Sequence, residues 1–255
     1  MIVPASVPEA RLESVLGRTS PLTKLAVAFA WLAGLAATRQ PWPPLAMTLS
    51  ALLAGLVLGR IPPRTLMHAI APVWIVALVV AVSNTVFGAA NPDPAASEIL
   101  RIGLLRITEQ ALATGVGLGL RVVAIGSVGA VFALTTDSTR LVDALVQQAG
   151  VPARFAYGAF AAYQAVPRFA EDLATLRQAR RIRGLRGSWH PGLLLSLLVL
   201  AIRHGDRMAL AMDARAFGSG PRSRFREVHW SALDVAIAIG STVALAGILV
   251  LSASR

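Results

Sequence analysis

Two short segments of this chain place one arginine between uncharged residues. The segments are Ile182, Arg183 and Gly184, and Ala214, Arg215 and Ala216. A guanidinium at the C-terminal end of a helix can reach past the last turn and form two parallel hydrogen bonds with a carboxylate of another protein. Small flanking residues would let that protein approach the helix end closely. Residue types alone leave open an ordinary role, in which the arginines only stabilise the negative end of the helix dipole.

Apolar periodicity predicts that each arginine lies near the end of a helix. The first helix is predicted from about 167 to 184, with acidic residues in its first turn and arginines in its last turn. The second is predicted from about 192 to 218 and carries a narrow apolar stripe. The stripe comprises Ile202, Gly205, Met208, Ala209 and Met212. Both helices are expected to end at a glycine, Gly184 and Gly218, because glycine adopts the left-handed conformation at the least cost.

The composition of the chain indicates a membrane protein. Hydrophobic residues make up 55% of the 255 residues, charged residues make up 15%, and the mean hydropathy is +0.64. Soluble domains carry about 25% charged residues. The apolar residues form long uncharged runs, close to the roughly 20 residues that a bilayer-spanning helix needs. We predict an all-α polytopic membrane protein with about five spans, at 22–38, 42–59, 68–88, 113–135 and 233–252.

Positive charge lies mainly beside these apolar runs. The formal net charge is +11, but no basic stripe interleaved with aromatic residues points to a nucleic-acid partner. The basic loop at 60–64 is expected in the cytoplasm under the positive-inside rule. This places the N-terminus inside and, after five spans, the C-terminus outside. The N-terminal residues lack the apolar stretch of a signal peptide.

The segment between the fourth and fifth predicted spans differs from the rest of the chain. Its apolar runs at 156–166 and 191–202 are too short to cross a bilayer comfortably, and they suit helices that lie at the interface or pack on other helices. We therefore divide the chain into three parts. These are N-terminal spans at 1–135, a cytoplasmic or interfacial two-helix region at 136–230, and a C-terminal span at 231–255.

The sequence contains no recognisable set of residues for catalysis or metal binding. It has no cysteine, which removes disulfides, thiolate metal ligands and cysteine nucleophiles. The histidines at 68, 190, 204 and 229 are scattered, and the glycine-rich run at 115–120 is expected to serve helix packing rather than phosphate binding. We expect no catalytic site, no metal site and no cofactor. A membrane-embedded enzyme is the remote alternative.

Four stretches of the chain together resemble the transmembrane coupling subunit, or T component, of energy-coupling factor (ECF) transporters, the family of the cobalt-transport permease protein. The stretches are PLTKL at 21–25, the segment 136–173, EDLATLRQARRIRG at 171–184 and ALAMDARAFG at 209–218. Members of that family carry two small–Arg–small motifs at the ends of two long cytoplasmic helices. This chain departs from the family pattern at Ile182, where alanine is usual, and at Ala216, where glycine is usual.

The resemblance implies a role in energy coupling without chemistry of the chain's own. It implies that Arg183 and Arg215, with their neighbours, each hold one of two cytoplasmic ABC ATPases. It also implies a membrane-embedded substrate-binding S component as a partner, and we expect the second helix to contact it. The residues expected in that contact are Leu198, Ile202, Met208 and Met212. ATP hydrolysis would then drive uptake of a vitamin or a transition-metal ion through the cytoplasmic membrane of a bacterium or archaeon.

A conventional ABC permease or an independent secondary carrier is the main alternative. Such a permease couples through one cytoplasmic loop with a Glu-Ala-Ala stretch, which is not recognisable here. A carrier usually shows an internal repeat of its spans, and the sequence shows none. The cargo stays open, since the substrate pocket of an ECF system lies in another chain. Biotin, cobalt, nickel and riboflavin all remain candidates.

Overall fold

The computed structural model describes residues 13–38, 40–89, 91, 97–102, 105–185, 190–218, 220 and 226–254, so the first twelve residues, which enter the predicted cytoplasmic N-terminus, lie outside it. Its elements are α1 (Val15–Arg18), α2 (Pro21–Ala37), α3 (Trp42–Val57), α4 (Pro63–Val86), β1 (Glu98–Ile102), β2 (Leu105–Thr108), α5 (Glu109–Thr135), α6 (Ser138–Gln147), α7 (Ala153–Ile182), α8 (Pro191–Ala214) and α9 (Ala232–Ala253). They form two compact units. One contains α1 to α5, both strands and α9, and the other contains α6 to α8.

Five apolar helices, α2 to α5 and α9, occupy the places predicted for the spans. Helices α4, α5 and α9 are long and apolar enough to cross a membrane. Helices α2 and α3 are apolar but shorter, with 17 and 16 residues. The predicted all-α polytopic membrane fold is confirmed.

Two of the spans begin earlier than predicted. Helix α4 begins at Pro63 instead of 68, and α5 begins at Glu109 instead of 113. Proline suits the first position of a helix, because the N–H that it lacks would have no partner there. Thr108 caps α5 by accepting a hydrogen bond from the N–H of Ala111 at 3.3 Å. The capping residues precede the apolar pattern, so the pattern alone places the helix start too late.

A short antiparallel hairpin lies between α4 and α5, in a stretch where the sequence predicts no span. Strands β1 and β2 pair with each other, and Arg106 forms an ion pair with Glu98 at 3.2 Å. The buried side chain of Asn91 links the hairpin to the end of α4. Its amide donates to the carbonyl of Thr85 at 2.8 Å, and its oxygen accepts from both the N–H and the hydroxyl of Thr108 at 3.1 Å.

Helices α4 and α5 pack closely along glycines of α5. A Cβ added at Gly115 would come within 2.6 Å of the carbonyl oxygen of Ala81. One added at Gly119 would come within 3.0 Å of the carbonyl oxygen of Ala77. Small residues that let two backbones approach are typical of helix pairs in membranes. The glycine-rich run therefore serves helix packing, as its sequence context predicts.

Two buried charged side chains join three helix ends in this unit. Asp234 is 1% exposed, and its carboxylate accepts hydrogen bonds from the N–H of Ser20 at 2.6 Å and of Ser231 at 2.7 Å. These residues immediately precede α2 and α9, so one carboxylate serves both helix starts. The buried ammonium of Lys24, in α2, donates to the carbonyl of Thr135 at the end of α5, at 2.8 Å. Backbone groups that the helices leave unpaired thus find buried partners.

Replacing Asp234 with alanine is expected to lower the free energy of unfolding by about 2–4 kcal/mol, because two N–H groups lose a charged acceptor. Heat unfolding in detergent, followed by circular dichroism, would measure the change. The matched control is Glu109→Ala, which removes an exposed carboxylate from the first turn of α5. Equal effects of the two changes would contradict the role given to Asp234.

Helix α7 is a single helix of 30 residues, so its predicted start at 167 is wrong. Pro167 lies inside the helix, and the apolar run at 156–166 forms the first half of it. Proline removes one backbone hydrogen bond from a helix interior and favours a kink there, but α7 continues past Pro167 to Ile182. Ala156 and Ala165 are both buried, which shows that the half before the proline packs within the unit.

Candidate functional site

Arg183 is the C-cap of α7, the residue directly after the last helical residue, Ile182. The N–H of Gly184 donates to the carbonyl of Arg181 at 3.0 Å. The N–H of Leu185 reaches further back and donates to the carbonyl of Arg180 at 3.1 Å. This pair of bonds defines a Schellman motif, in which the arginine is the C-cap. The last carbonyls of the helix are therefore paired within the chain.

Arg215 occupies the same position at the end of α8. The N–H of Ala216 donates to the carbonyl of Asp213 at 2.9 Å. The N–H of Phe217 donates to the carbonyl of Met212 at 3.0 Å. The two arginines thus cap two helices in the same local structure, which the sequence predicts only as two helix ends.

The residue after each arginine has a left-handed backbone. Gly184 has a φ of 72° and Ala216 has a φ of 52°. The predicted end of α8 at Gly218 is therefore wrong, because the helix stops at Ala214 and the left-handed residue of the motif is Ala216. A Schellman motif needs this conformation one residue beyond the cap. The left-handed backbone thus favours a small residue after the arginine. The same small residue leaves room for a partner.

Both motifs are accessible. Ile182 is 87% exposed, and the other members of the two motifs are exposed as well. Arg183 and Arg215 are therefore placed where another protein can reach them.

Helices α7 and α8 run antiparallel. Phe169 meets His204 with ring centroids 6.3 Å apart, and Tyr157 meets Phe217 with centroids 6.2 Å apart, both in edge-to-face geometry. Tyr157 lies 12 residues before Phe169, whereas its partner Phe217 lies 13 residues after His204, so the two segments run in opposite directions. Arg215, two residues before Phe217, lies level with the start of α7. Arg183 lies at the other end, roughly 40 Å away at 1.5 Å per helical residue.

The residues predicted to contact an S component divide into two groups. Leu198 and Ile202 are each 56% exposed, whereas Met208 and Met212 are half-buried. Three further large apolar residues of the first half of α8 are exposed, namely Leu194, Leu195 and Val199. The first half of α8 therefore presents the broader apolar surface, which favours Leu198 and Ile202 over the two methionines as contact residues.

A group of contacts around the second motif is not foreseen from the sequence. Phe217 packs on Tyr157, and Arg154 donates to the carbonyl of Gly218 at 3.2 Å. A signal is nevertheless present, because both motifs continue with a large apolar residue, Leu185 in one and Phe217 in the other. An apolar residue at this position commonly accompanies a Schellman motif.

The described part of the chain shows no group of three or more His, Asp or Glu side chains that could hold a metal ion.

The apolar helices and the paired arginine-ended helices define a polytopic α-helical membrane protein with two accessible basic helix ends. The model of the CbiQ family, described as cobalt transport protein, matches residues 13–226. The chain belongs to this family. The match confirms the resemblance to the transmembrane components of ECF transporters.

Relatives of this chain cover most of its length at low identity. It is 24% identical over 238 residues to the energy-coupling factor transporter transmembrane protein EcfT of Acidaminococcus fermentans, covering 87% of this chain and 86% of that protein. It is 24% identical over 254 residues to EcfT of Listeria innocua, covering 92% and 93%. It is also 27% identical over 241 residues to a putative ABC transporter ATP-binding protein of Bifidobacterium longum. That match covers 88% of this chain but 29% of the longer protein.

Exchanging the residues after the two arginines is expected to change the two helix ends in opposite directions. Ala216→Gly relieves a left-handed alanine and Gly184→Ala creates one, a difference of about 1 kcal/mol or roughly fivefold in local opening. Amide hydrogen exchange at Phe217 and Leu185, whose N–H groups complete the motifs, would measure it. Slower exchange at Leu185 in Gly184→Ala would show that the left-handed conformation is not what limits these ends.

Proposed function

We propose that this chain is the T component of an ECF-type ABC importer. It holds two cytoplasmic ATPases through Arg183 and Arg215 and transmits their movement to a membrane-embedded S component. The observation that carries the proposal is the repetition of one structure. Each arginine is the C-cap of a Schellman motif, and the two motifs lie at opposite ends of one antiparallel helix pair.

The names of the relatives support the same role. Two relatives are named as transmembrane proteins of energy-coupling factor transporters, and their matches to this chain span 86% and 93% of the relatives' lengths. The Bifidobacterium relative is named for ATP binding, and the region that matches this chain is 29% of it. A longer chain that combines an ATP-binding name with a region similar to this protein is consistent with ABC ATPases as partners.

The separation of the two arginines favours two partner subunits over one. The roughly 40 Å between them exceeds the roughly 30 Å diameter of a small domain. One ATPase subunit at each end therefore fits the spacing. Each guanidinium can form paired hydrogen bonds with a carboxylate in a groove of its subunit. The exposed helix end then inserts as a compact unit whose backbone is already satisfied.

The exposed apolar face of α8 is the proposed contact with the S component. Leu198 and Ile202 are central to it, and the half-buried Met208 and Met212 lie at its edge further along the helix. Apolar side chains exposed over several helical turns are expected to meet lipid or another apolar surface. A membrane-embedded partner offers such a surface.

The proposal includes the placement of the chain in the membrane. The basic loop at 60–64 and the arginine-rich region at 136–230 lie in the cytoplasm, the N-terminus is inside and the C-terminus is outside. The spans at 1–135 and 231–255 anchor this region in the cytoplasmic membrane of a bacterium or archaeon. The chain contributes coupling and no catalysis. The imported cargo belongs to the class of vitamins or transition-metal ions.

Reversing the charge of Arg183 or Arg215 to glutamate is expected to weaken the attachment of the ATPases. Loss of one partner of a buried interfacial charge pair costs about 2–5 kcal/mol, so each single change should lower retention and the double change should abolish it. The measurement is a pull-down on this chain, co-expressed with the ABC ATPases of its own organism.

The matched controls are Arg177→Glu in α7 and Arg203→Glu in α8, which reverse exposed charges away from the helix ends. Retention that falls equally in the controls would indicate only a general effect of positive charge. Retention that survives the double change at Arg183 and Arg215 would contradict the proposal.

Cysteine cross-linking would test the S-component contact, because the chain has no cysteine of its own. A single cysteine at Leu198 or Met208 is expected to cross-link to a candidate S component in the active complex. A cysteine at the exposed Arg207, which lies nine residues after Leu198 and therefore on the opposite side of the same helix, is the control. Cross-linking from Arg207 alone would place the S component on a different face of α8.

A further inference from the structure

The two arginine-ended helices share one motif but differ in how the residue after the left-handed position is held. In the first motif that residue is Leu185, whose side chain is 48% exposed. In the second it is Phe217, which is half-buried and meets the ring of Tyr157 edge-to-face at an interplanar angle of 82°. The second helix end is therefore held against the start of α7 by an aromatic contact at a position where the first end has an exposed leucine.

A hydrogen bond reinforces this contact. Arg154, one turn before Tyr157 in α7, donates to the carbonyl of Gly218 at 3.2 Å. Gly218 has a φ of 81°, and a Cβ added there would collide with the Arg154 side chain. Glycine is thus required at 218 both by the backbone conformation and by the close approach of the arginine. The chain after Arg215 is fixed at two successive residues.

Tyr157 also connects this end to α6. Its hydroxyl donates to the carboxylate of Asp143 at 2.7 Å, and Asp143 is 8% exposed. The aromatic ring of one residue therefore touches the end of α8 while its hydroxyl is bound to α6. We name the set formed by Asp143, Arg154, Tyr157, Phe217 and Gly218 the clamp.

The chain passes from α5 into the unit of α6 to α8 at the start of α6, and the segment by which it leaves that unit is hydrogen-bonded to the end of α6. Helix α6 begins at Ser138, three residues after α5 ends at Thr135. At its other end, the amide of Gln147 donates to the carbonyl of Arg226 at 2.8 Å, and its oxygen accepts from the N–H of Val228 at 3.0 Å. These two residues shortly precede α9. Helix α6 is therefore connected to both chain segments that lead to apolar helices.

We infer that the clamp transmits movement from the second arginine-ended helix to α6, so that the two ATPase contacts have unequal roles. Arg215 is the end through which ATP-driven movement enters the chain, and Arg183 mainly holds its ATPase. Tyr157 and Phe217 are positioning residues that act through α6. This inference rests on the proposed function, because it takes the partners of both arginines to be ATPases.

The test compares Phe217→Ala with Leu185→Ala, the same truncation at the same position of the two motifs. The complex is the full chain with the ABC ATPases of its own organism, reconstituted in lipid nanodiscs. Spin labels on cysteines introduced at the exposed Ala133 of α5 and Ala149 after α6 report the distance between them with and without ATP. The absence of native cysteine makes this labelling specific.

We expect wild type and Leu185→Ala to show the same ATP-dependent change in distance. In Phe217→Ala the fraction of molecules that change should fall roughly 2- to 12-fold, as expected for loss of an edge-to-face aromatic pair. The ATPases should remain bound and hydrolyse ATP. Phe217→Tyr keeps the ring and should restore the change. Tyr157→Phe keeps the ring contact but removes the bond to Asp143, and should reduce it.

The outcomes separate this inference from the proposed function. An unchanged distance response in Phe217→Ala would overturn the clamp as a transmitter. So would loss of the ATPases from Phe217→Ala, since Phe217 would then belong to the docking surface. A wild-type chain that retains no ATPase would instead contradict the proposed function itself. Equal loss of response in Leu185→Ala and Phe217→Ala would show that both ends transmit alike.

Discussion

Every helix in this chain ends in backbone groups that it cannot pair by itself, and the structure depends on how those groups are satisfied. The demand is strictest inside a bilayer, where lipid offers no hydrogen-bond partner. Among the apolar helices, Asp234 provides acceptors for two helix starts and Lys24 provides a donor for one helix end. Helices α7 and α8 instead pair their last carbonyls with the N–H groups that follow. Buried charge satisfies the helix ends in the first case and local backbone geometry in the second.

The local backbone geometry at the ends of α7 and α8 determines where the two arginines lie. In a Schellman motif the cap is the last residue before the backbone turns left-handed. An arginine one position earlier would lie within the last turn, and one position later it would itself take up the costly left-handed conformation. Arg183 and Arg215 both occupy the cap, so they leave their helices at the same position of the same turn. The exposed guanidinium then needs no further support from the backbone around it. The departure from the family pattern at Ala216 is tolerated because the backbone still adopts the left-handed conformation there, at a φ of 52°.

The features that follow from local pattern could be predicted from the sequence, and those that depend on contacts between elements could not. Hydropathy placed the five apolar helices because a bilayer imposes a minimum length. It placed two helix starts too late, because caps such as Thr108 are polar. Pro167 is predicted to begin a helix that in fact passes through it, and the buried Ala156 and Ala165 lie in the part of the helix that the prediction misses. The positions of both arginines near helix ends were predictable from their neighbours. The contact of Tyr157 with Phe217 was not, since it joins residues 60 positions apart whose only sequence signal is an apolar residue after each motif.

The antiparallel arrangement of α7 and α8 adds a symmetry argument. Two antiparallel helices with the same end structure are related by an approximate two-fold axis perpendicular to the pair. Two partner subunits related by a two-fold axis, the commonest symmetry of protein pairs, could therefore meet Arg183 and Arg215 with the same groove. The contacts of Phe217 and Gly218 have no counterpart at Leu185 within the described residues, so they break this symmetry on one side. Identical docking chemistry at both ends, with a fixed connection at one of them, would let a symmetric pair of ATPases drive a one-sided movement, which suits the S-component contact proposed for the apolar face of α8.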